Sequence, residues 1–203
     1  MTMSWVEIIS AVLGLSCVFL AGRNSKYNFW VGYAYNIFLF CLFWKQHLYS
    51  AMLIQPVAFA INIYGHWRWT HPAEGERSAA DPGKLKVSAI SAGQWSSLLL
   101  MACVFGALWA MALEWLPEKW PAVFGADPSP WLDSYILMAT LLAQYLSAQK
   151  VWQCWIVWLA VNLANVALYL SSGLYLMPVV SALYLANGIW SLVSWKRKFG
   201  KGE

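Results

Sequence analysis

Seven side-chain amides stand deep inside otherwise apolar runs of this chain: Asn36, Gln55, Asn62, Gln144, Asn162, Asn165 and Asn187. A carboxamide offers donors and an acceptor without a formal charge, so it reads the hydrogen-bonding edge of a ligand rather than its charge. Aromatic residues accompany the amides at helical spacing. At about 100° per residue, Phe29, Tyr33, Asn36 and Phe40 share one face, Gln55, Phe59 and Asn62 a second, and Ser181, Tyr184 and Asn187 a third. Trp152, Trp155, Trp158, Asn162 and Asn165 fall within less than half of one helix circumference. Rings that sandwich and amides that pair along an edge suit a flat polar ligand, uncharged or carrying a delocalised positive charge. Singly, each amide is equally well explained as an interhelical hydrogen bond worth about 0.6 kcal/mol. Each Trp or Tyr is singly explained as a packing or interface residue. The coincidence of both on several helices carries the binding reading.

These residues sit in seven apolar segments, Trp5–Ala21, Tyr27–Trp44, Leu48–Trp69, Trp95–Leu116, Leu132–Ala148, Val151–Leu170 and Leu174–Trp195. Each comes close to the roughly 20 residues that span about 30 Å of hydrocarbon. With 61% apolar residues, 11% charged residues and 15 Trp, the chain suits helices facing lipid with aromatic belts at the interfaces. The expected fold is an all-α polytopic membrane protein, a single membrane domain over residues 1–203. Of the 13 Lys and Arg, only Lys45 and Lys119 fall on the side opposite the loops after segments 1, 3 and 5 and the tail, Arg68 standing at the adjoining end of segment 3. Basic loops resist translocation, so the C-terminus is expected in the cytoplasm and the N-terminus outside. Topology thereby accounts for the net charge of +4, and no nucleic-acid partner is expected.

Two connections are long, Thr70–Gln94 and Pro117–Pro130. Their Pro, Gly and charged residues read as solvated linkers flanking segment 4. The chain then divides into a three-helix unit (5–69), a linking helix (95–116) and a second three-helix unit (132–195). A shift of 126 residues lays Val31 on Val157, Ala34 on Ala160, Asn36 on Asn162, Leu48 on Leu174, Tyr49 on Tyr175, Ala60 on Ala186 and Trp69 on Trp195. Because the shift spans an even number of segments, the halves share one orientation. The reading is a parallel 3+1+3 repeat about an axis along the membrane normal, with a midplane site between the halves.

Absences narrow the chemistry. No Lys or Arg lies at mid-depth, and Glu7 stands in the first turn of segment 1, near the outer surface. Carriers coupled to an ion usually hold ionisable groups along their path, so passive facilitated diffusion is the expected mechanism. No phosphate-binding loop is present, which excludes ATP hydrolysis by this chain. A phosphorylated ligand would meet no cationic partner, so phosphorylation inside the cell would trap what enters. Cys17, Cys41, Cys103 and Cys154 read as small core residues without metal-ligand spacing. His47, His66 and His71 fall at segment ends or in loops and form no nucleophile–base pair. No catalytic residue, metal or cofactor is expected; the rival classes are a membrane-embedded enzyme and a receptor that binds without transporting. The first segment lacks the basic flank and cleavage site of a signal peptide and is expected to be retained. Pro56, Pro178, Gly32, Gly65 and Gly188 are candidate points of bending.

The run Trp152-Gln-Cys-Trp155-Ile-Val-Trp-Leu-Ala-Val-Asn162, followed by Asn165 and Gly173-Leu-Tyr175, resembles the sixth-helix signature of the PnuC family of bacterial vitamin transporters. The likeness extends over the whole chain through its seven segments, linking helix and basic tail. It implies uptake of nicotinamide riboside for NAD biosynthesis across the bacterial inner (cytoplasmic) membrane. It also implies a 3+1+3 fold like that of the sugar-transporting SWEET proteins, and a homotrimer. Relatives in the family carry thiamine or riboflavin, which stay open as alternative substrates. The motif matches Trp152, Trp155 and Asn162 as ligand contacts. Asn36, Gln55, Asn62, Gln144, Asn165, Tyr184 and Asn187 join them from depth and helix face. Indole faces would hold the pyridinium ring, contributing roughly 0.5 to 2 kcal/mol. The amides would pair with the carboxamide and ribose hydroxyls, where an unpaired buried group costs a wrong ligand about 1–3 kcal/mol.

Overall fold

The computed structural model describes residues 5–45, 49–121, 123–124, 126, 129–171 and 177–203. His47, Leu48, Gly173, Leu174 and Tyr175 lie outside the described residues. The helices are α1 (Trp5–Gly22), α2 (Tyr27–Lys45), α3 (Tyr49–Thr70), α4 (Ala92–Lys119), α5 (Pro130–Ala148), α6 (Cys154–Ser171) and α7 (Met177–Lys201). They follow the apolar segments closely, and the departures have local causes. Helix α4 starts early because Ser91 builds a capping box with Gln94. Its hydroxyl accepts the Gln94 N–H at 3.3 Å while the Gln94 side chain accepts the Ser91 N–H at 2.9 Å. Helix α4 also runs through Pro117 to Lys119 rather than ending before the proline. Helix α6 starts late, at Cys154, because Lys150 adopts a left-handed backbone (φ 57°) and Val151 pairs with Ser88.

Packing runs α1 on α2, α2 on α3, α3 on α5, α5 on α6, α6 on α7 and α7 back on α1, which closes a six-helix ring. Helix α4 stands outside the ring against α5, turning Gly106, Ala110 and Leu113 inward, with Gly106 facing the Tyr135 ring. With a mean hydropathy of 2.0, α4 is long and apolar enough to cross a membrane. The outward faces of the ring carry exposed Trp30, Ile37, Val57, Ile63, Leu163 and Ile189, a surface that water would not tolerate and lipid would. Cys41 and Cys103 join this outward surface, against the expectation of four core cysteines; Cys154 alone is fully buried among the described residues. Glu114 and Asp133 also fall inside helices, near the helix ends, where Glu114 accepts the Trp131 indole N–H at 2.8 Å.

The α1–α2 and α5–α6 turns match bond for bond at the 126-residue shift. Asn24 N–H donates to Ala21 O and Ser25 N–H to Leu20 O; Lys150 N–H donates to Ser147 O and Val151 N–H to Leu146 O. Both are helix C-caps of the Schellman type, which need a left-handed residue after the helix. Among the described residues Asn24 and Lys150, each at φ 57°, are the non-glycine residues with positive φ. Two bonds further on repeat as well, Phe29 N–H to Lys26 O and Trp155 N–H to Trp152 O.

The connection from α3 to α4 is more than a solvated linker. Arg68 grips Glu76 through two bonds of 2.7 and 3.0 Å, and residues 77–88 fold across the α5–α6 turn. Ser88 N–H donates to Lys150 O and accepts through its own carbonyl from Trp152 N–H, while Val87 N–H donates to Glu203 O. Leu85 and Val87 are buried in the main core, two residues apart as the alternation of extended chain requires. This strap closes one end of the ring, the end that bears most of the basic residues.

Candidate functional site

The ring encloses a cavity of about 370 Å³, in the range of small-ligand sites. Helix α2 presents Asn28, Phe29, Gly32, Tyr35, Asn36 and Leu39 to it, and α3 presents Gln55, Ala58 and Asn62. Helix α5 adds Thr140, Gln144 and Ser147, α6 adds Trp155, Trp158, Val161, Asn162 and Asn165, and α7 adds Tyr184. Each set recurs every three to four residues, the period of one helix face. Gly14 lets the Tyr184 hydroxyl and the Tyr35 ring approach α1, where a Cβ would collide with that hydroxyl. Gly32 likewise yields to the Asn62 amide, which would stand 2.9 Å from an added Cβ. The glycines therefore act as room for polar side chains.

Eight of the ten residues proposed from sequence line this cavity: Trp155, Asn162, Asn165, Asn36, Gln55, Asn62, Gln144 and Tyr184. Trp152 and Asn187 do not. Trp152 precedes α6, its N–H held by Ser88 O and its ring 5.4 Å from the Lys196 ammonium. Asn187 spends its amide on Val18 O at 3.3 Å, which is the interhelical role. The aromatic face assigned to α2 also rotates. Tyr33 bonds His66 Nδ1 at 3.0 Å and packs on Phe59, away from the cavity, and Phe40 is exposed. Tyr35, Asn28, Cys17, Thr140, Ser147 and Trp158 are lining residues that the choice of site residues left out. For Tyr35 the available signal was its place one turn below Leu39 and next to Asn36.

Three buried polar atoms on the wall have no protein partner: Asn36 Nδ2, Gln144 Oε1 and Trp155 Nε1. They present two donors and one acceptor. An unpaired buried group costs free energy, so these three atoms are unmet hydrogen-bonding capacity beside the cavity. The described lining residues include no Asp, Glu, Lys, Arg or His. No group of three or more His, Cys, Asp or Glu lies together among the described residues. The arrangement can bind and orient; it holds no acid–base pair.

Phe29 and Trp155, 126 residues apart in sequence, form the floor at the basic end. Behind them lies Lys150, buried, its ammonium bonded to Leu85 O and 5.0 Å from the centre of the Trp69 ring. Burial, with help from the charges of Lys198 and Lys84, holds that ammonium down to about 8.

Comparison with known proteins supplies the context. The family described as "Nicotinamide mononucleotide transporter" matches residues 4–197. The Riboflavin/roseoflavin transporter RibM of Streptomyces davaonensis is 28% identical over 191 residues, covering 94% of this chain and 84% of that protein. The Nicotinamide riboside transporter PnuC of Escherichia coli is 25% identical over 199 residues, covering 87% of this chain and 79% of that protein. That of Neisseria mucosa is 27% identical over 206 residues, covering 96% and 73%. A solved structure, "Crystal structure of the Vitamin B3 transporter PnuC", superposes with a TM-score of 0.72 at 20% identity, covering 98% of this chain and 84% of that one.

Proposed function

This chain belongs to the PnuC family of membrane transporters, and from that premise we propose that it carries nicotinamide riboside across the bacterial cytoplasmic membrane by uncoupled facilitated diffusion. The observation that carries the reading is the cavity itself: unpaired amide and indole atoms beside aromatic rings, with no fixed charge among the described lining residues. A pyridinium ring meets Trp155, Trp158, Tyr35 and Tyr184. Its carboxamide and ribose hydroxyls meet Asn36, Gln55, Asn62, Gln144, Asn162 and Asn165. A mononucleotide fits less well despite the family's description, because its phosphate would be buried without a cation. Phosphorylation after entry would therefore trap the ligand. The protein acts as a carrier and not as an enzyme, the N-terminus lies outside, and the assembly is a homotrimer.

We read the architecture as a parallel 3+1+3 repeat. The matched α1–α2 and α5–α6 turns support it, as does the ring order, in which each seam between halves, α3 with α5 and α7 with α1, is the counterpart of the other. The lining positions Asn36 and Asn162, 126 residues apart, support an axis that runs through the cavity. Riboflavin is the second reading, favoured by the 28% identity to RibM.

Counterflow of labelled nicotinamide riboside in proteoliposomes tests the proposal, with calorimetry against riboflavin and thiamine to settle the substrate. Trp155→Ala and Asn162→Ala should each weaken binding of the riboside while the protein still assembles. Equal affinity in both variants would remove this cavity as the site.

A further inference from the structure

Trp69 and Trp195 occupy matched positions in the two halves, and each donates its indole N–H across a seam of the ring. Trp69, near the end of α3, bonds Ser147 O near the end of α5 at 3.2 Å. Trp195, on α7, bonds Gly22 O at the end of α1 at 3.0 Å. These are the two places where the ring passes from one half to the other. Each indole also receives an aromatic ring of the cavity floor edge-on. Phe29 meets Trp69 at 5.1 Å and 87°, and Trp155 meets Trp195 at 5.5 Å and 84°. The two tryptophans touch each other at 5.9 Å, so floor and latches form one block.

All four rings are buried, Trp195 fully. The Trp195 bond is buried and the Trp69 bond partly buried, so both resist opening more than the exposed bonds at the rim do. Gln149 also crosses the α3–α5 seam, donating to the Tyr64 hydroxyl at 2.6 Å, but at an exposed position. A carrier must part its seams at one end to release ligand there. We propose that Trp69 and Trp195 are the gate at the basic end of the cavity: two indole latches, one on each seam, that release together when the floor of Phe29 and Trp155 withdraws. The strap bearing Leu85 and Val87 lies beneath and must lift with them. This gate rests on the reading of the chain as a carrier.

Cys17 lines the cavity and serves as the reporter. In protein with Cys41, Cys103 and Cys154 replaced by alanine, its labelling by a membrane-impermeant maleimide is followed from each face of oriented vesicles, without ligand. Trp69→Phe and Trp195→Phe each remove one N–H and should raise labelling from the basic face roughly two- to tenfold. The double variant should multiply the two effects, and labelling from the opposite face should not change. Gln149→Ala, which cuts the exposed bond on the same seam, should leave both rates alone. Benzothienylalanine, an indole isostere without the N–H, replaces phenylalanine at either position should a variant not assemble.

The gate is overturned by unchanged labelling, by an equal rise from both faces, by an effect at one tryptophan only, or by an equal effect of Gln149→Ala. Labelling needs no ligand, so failed counterflow beside the expected labelling pattern would sink the carrier reading and leave the gate's mobility standing.

Discussion

The two units proposed for the ring, α1–α3 and α5–α7, share the bonding of one turn but furnish the cavity differently. At positions 126 residues apart along the wall, α2 offers Gly32 where α6 offers Trp158, and Leu39 where α6 offers Asn165. Helix α1 offers Gly14 and Val18 where α5 offers Thr140 and Gln144, and α3 offers Ala58 where α7 offers Tyr184. Asn36 and Asn162 are the amides that both units keep. At these positions the first unit supplies space and the second functional groups, whereas Asn28, Tyr35, Gln55 and Asn62 are functional groups that the first unit brings to the wall. A ligand with no symmetry of its own needs such a wall, and the turns and seams need none of that divergence. The likeness is closest in the turn bonding and weakest along the cavity wall.

Making the units alike should break this division of labour. The largest effect is expected from Gly32→Trp, which copies Trp158 into a space already taken by Asn62. Binding of nicotinamide riboside should fall on the order of a hundredfold by calorimetry, with assembly intact on size exclusion. Next come the swaps that strip the second unit. Gln144→Val and Asn165→Leu, copying Val18 and Leu39, should each weaken binding roughly tenfold, since each leaves a ligand group unpaired. The opposite swap, Leu39→Asn, should cause no loss of that size; if it does, the Leu39 position is itself a contact for the ligand.

A smaller effect concerns the paired turns. Lys150 has a folded-state value of about 8 against an ordinary 10.5, so between those values the unfolded chain binds more protons. Stability therefore rises as pH climbs through that window. Lys150→Asn copies Asn24, keeps a residue that tolerates the left-handed backbone, and should remove the rise in melts followed from pH 7 to 10. The smallest effect lies outside the ring. Trp131→Phe cuts the bond to Glu114 and should cost about 1 kcal/mol or less, leaving binding unchanged, because α4 touches the ring only through its outer side.

The seven helices were legible because hydrocarbon length is a coarse signal that survives in sequence. The inward face of α2 was not. Tyr33 and Tyr35 stand two residues apart, and lipid is as apolar as the interior, so nothing in the aromatic pattern says which ring turns in. The polar residues did better, since Asn36, Gln55, Asn62 and Gln144 cannot be turned outward cheaply. Trp152 falls short of α6 because the apolar segment resumes at Val151, whereas the helix starts only at Cys154, after the left-handed Lys150 and the pairing of Val151 with Ser88. The strap was overlooked for the opposite reason. Its Pro, Gly and charges resemble solvated chain, and only the spacing of Leu85 and Val87 marks the buried side.

The absence of Asp, Glu, Lys, Arg and His from the described cavity wall also bears on energetics across the membrane. A wall without fixed charge moves none of its own when it reorients, so the electrical work of a cycle is that of the passenger alone. A singly positive pyridinium crossing 100 mV, negative inside, gains about 2.3 kcal/mol, roughly a fifty-fold accumulation at equilibrium. A neutral flavin would gain nothing. Collapsing the voltage across proteoliposomes would thus report the passenger's charge without any change to the protein.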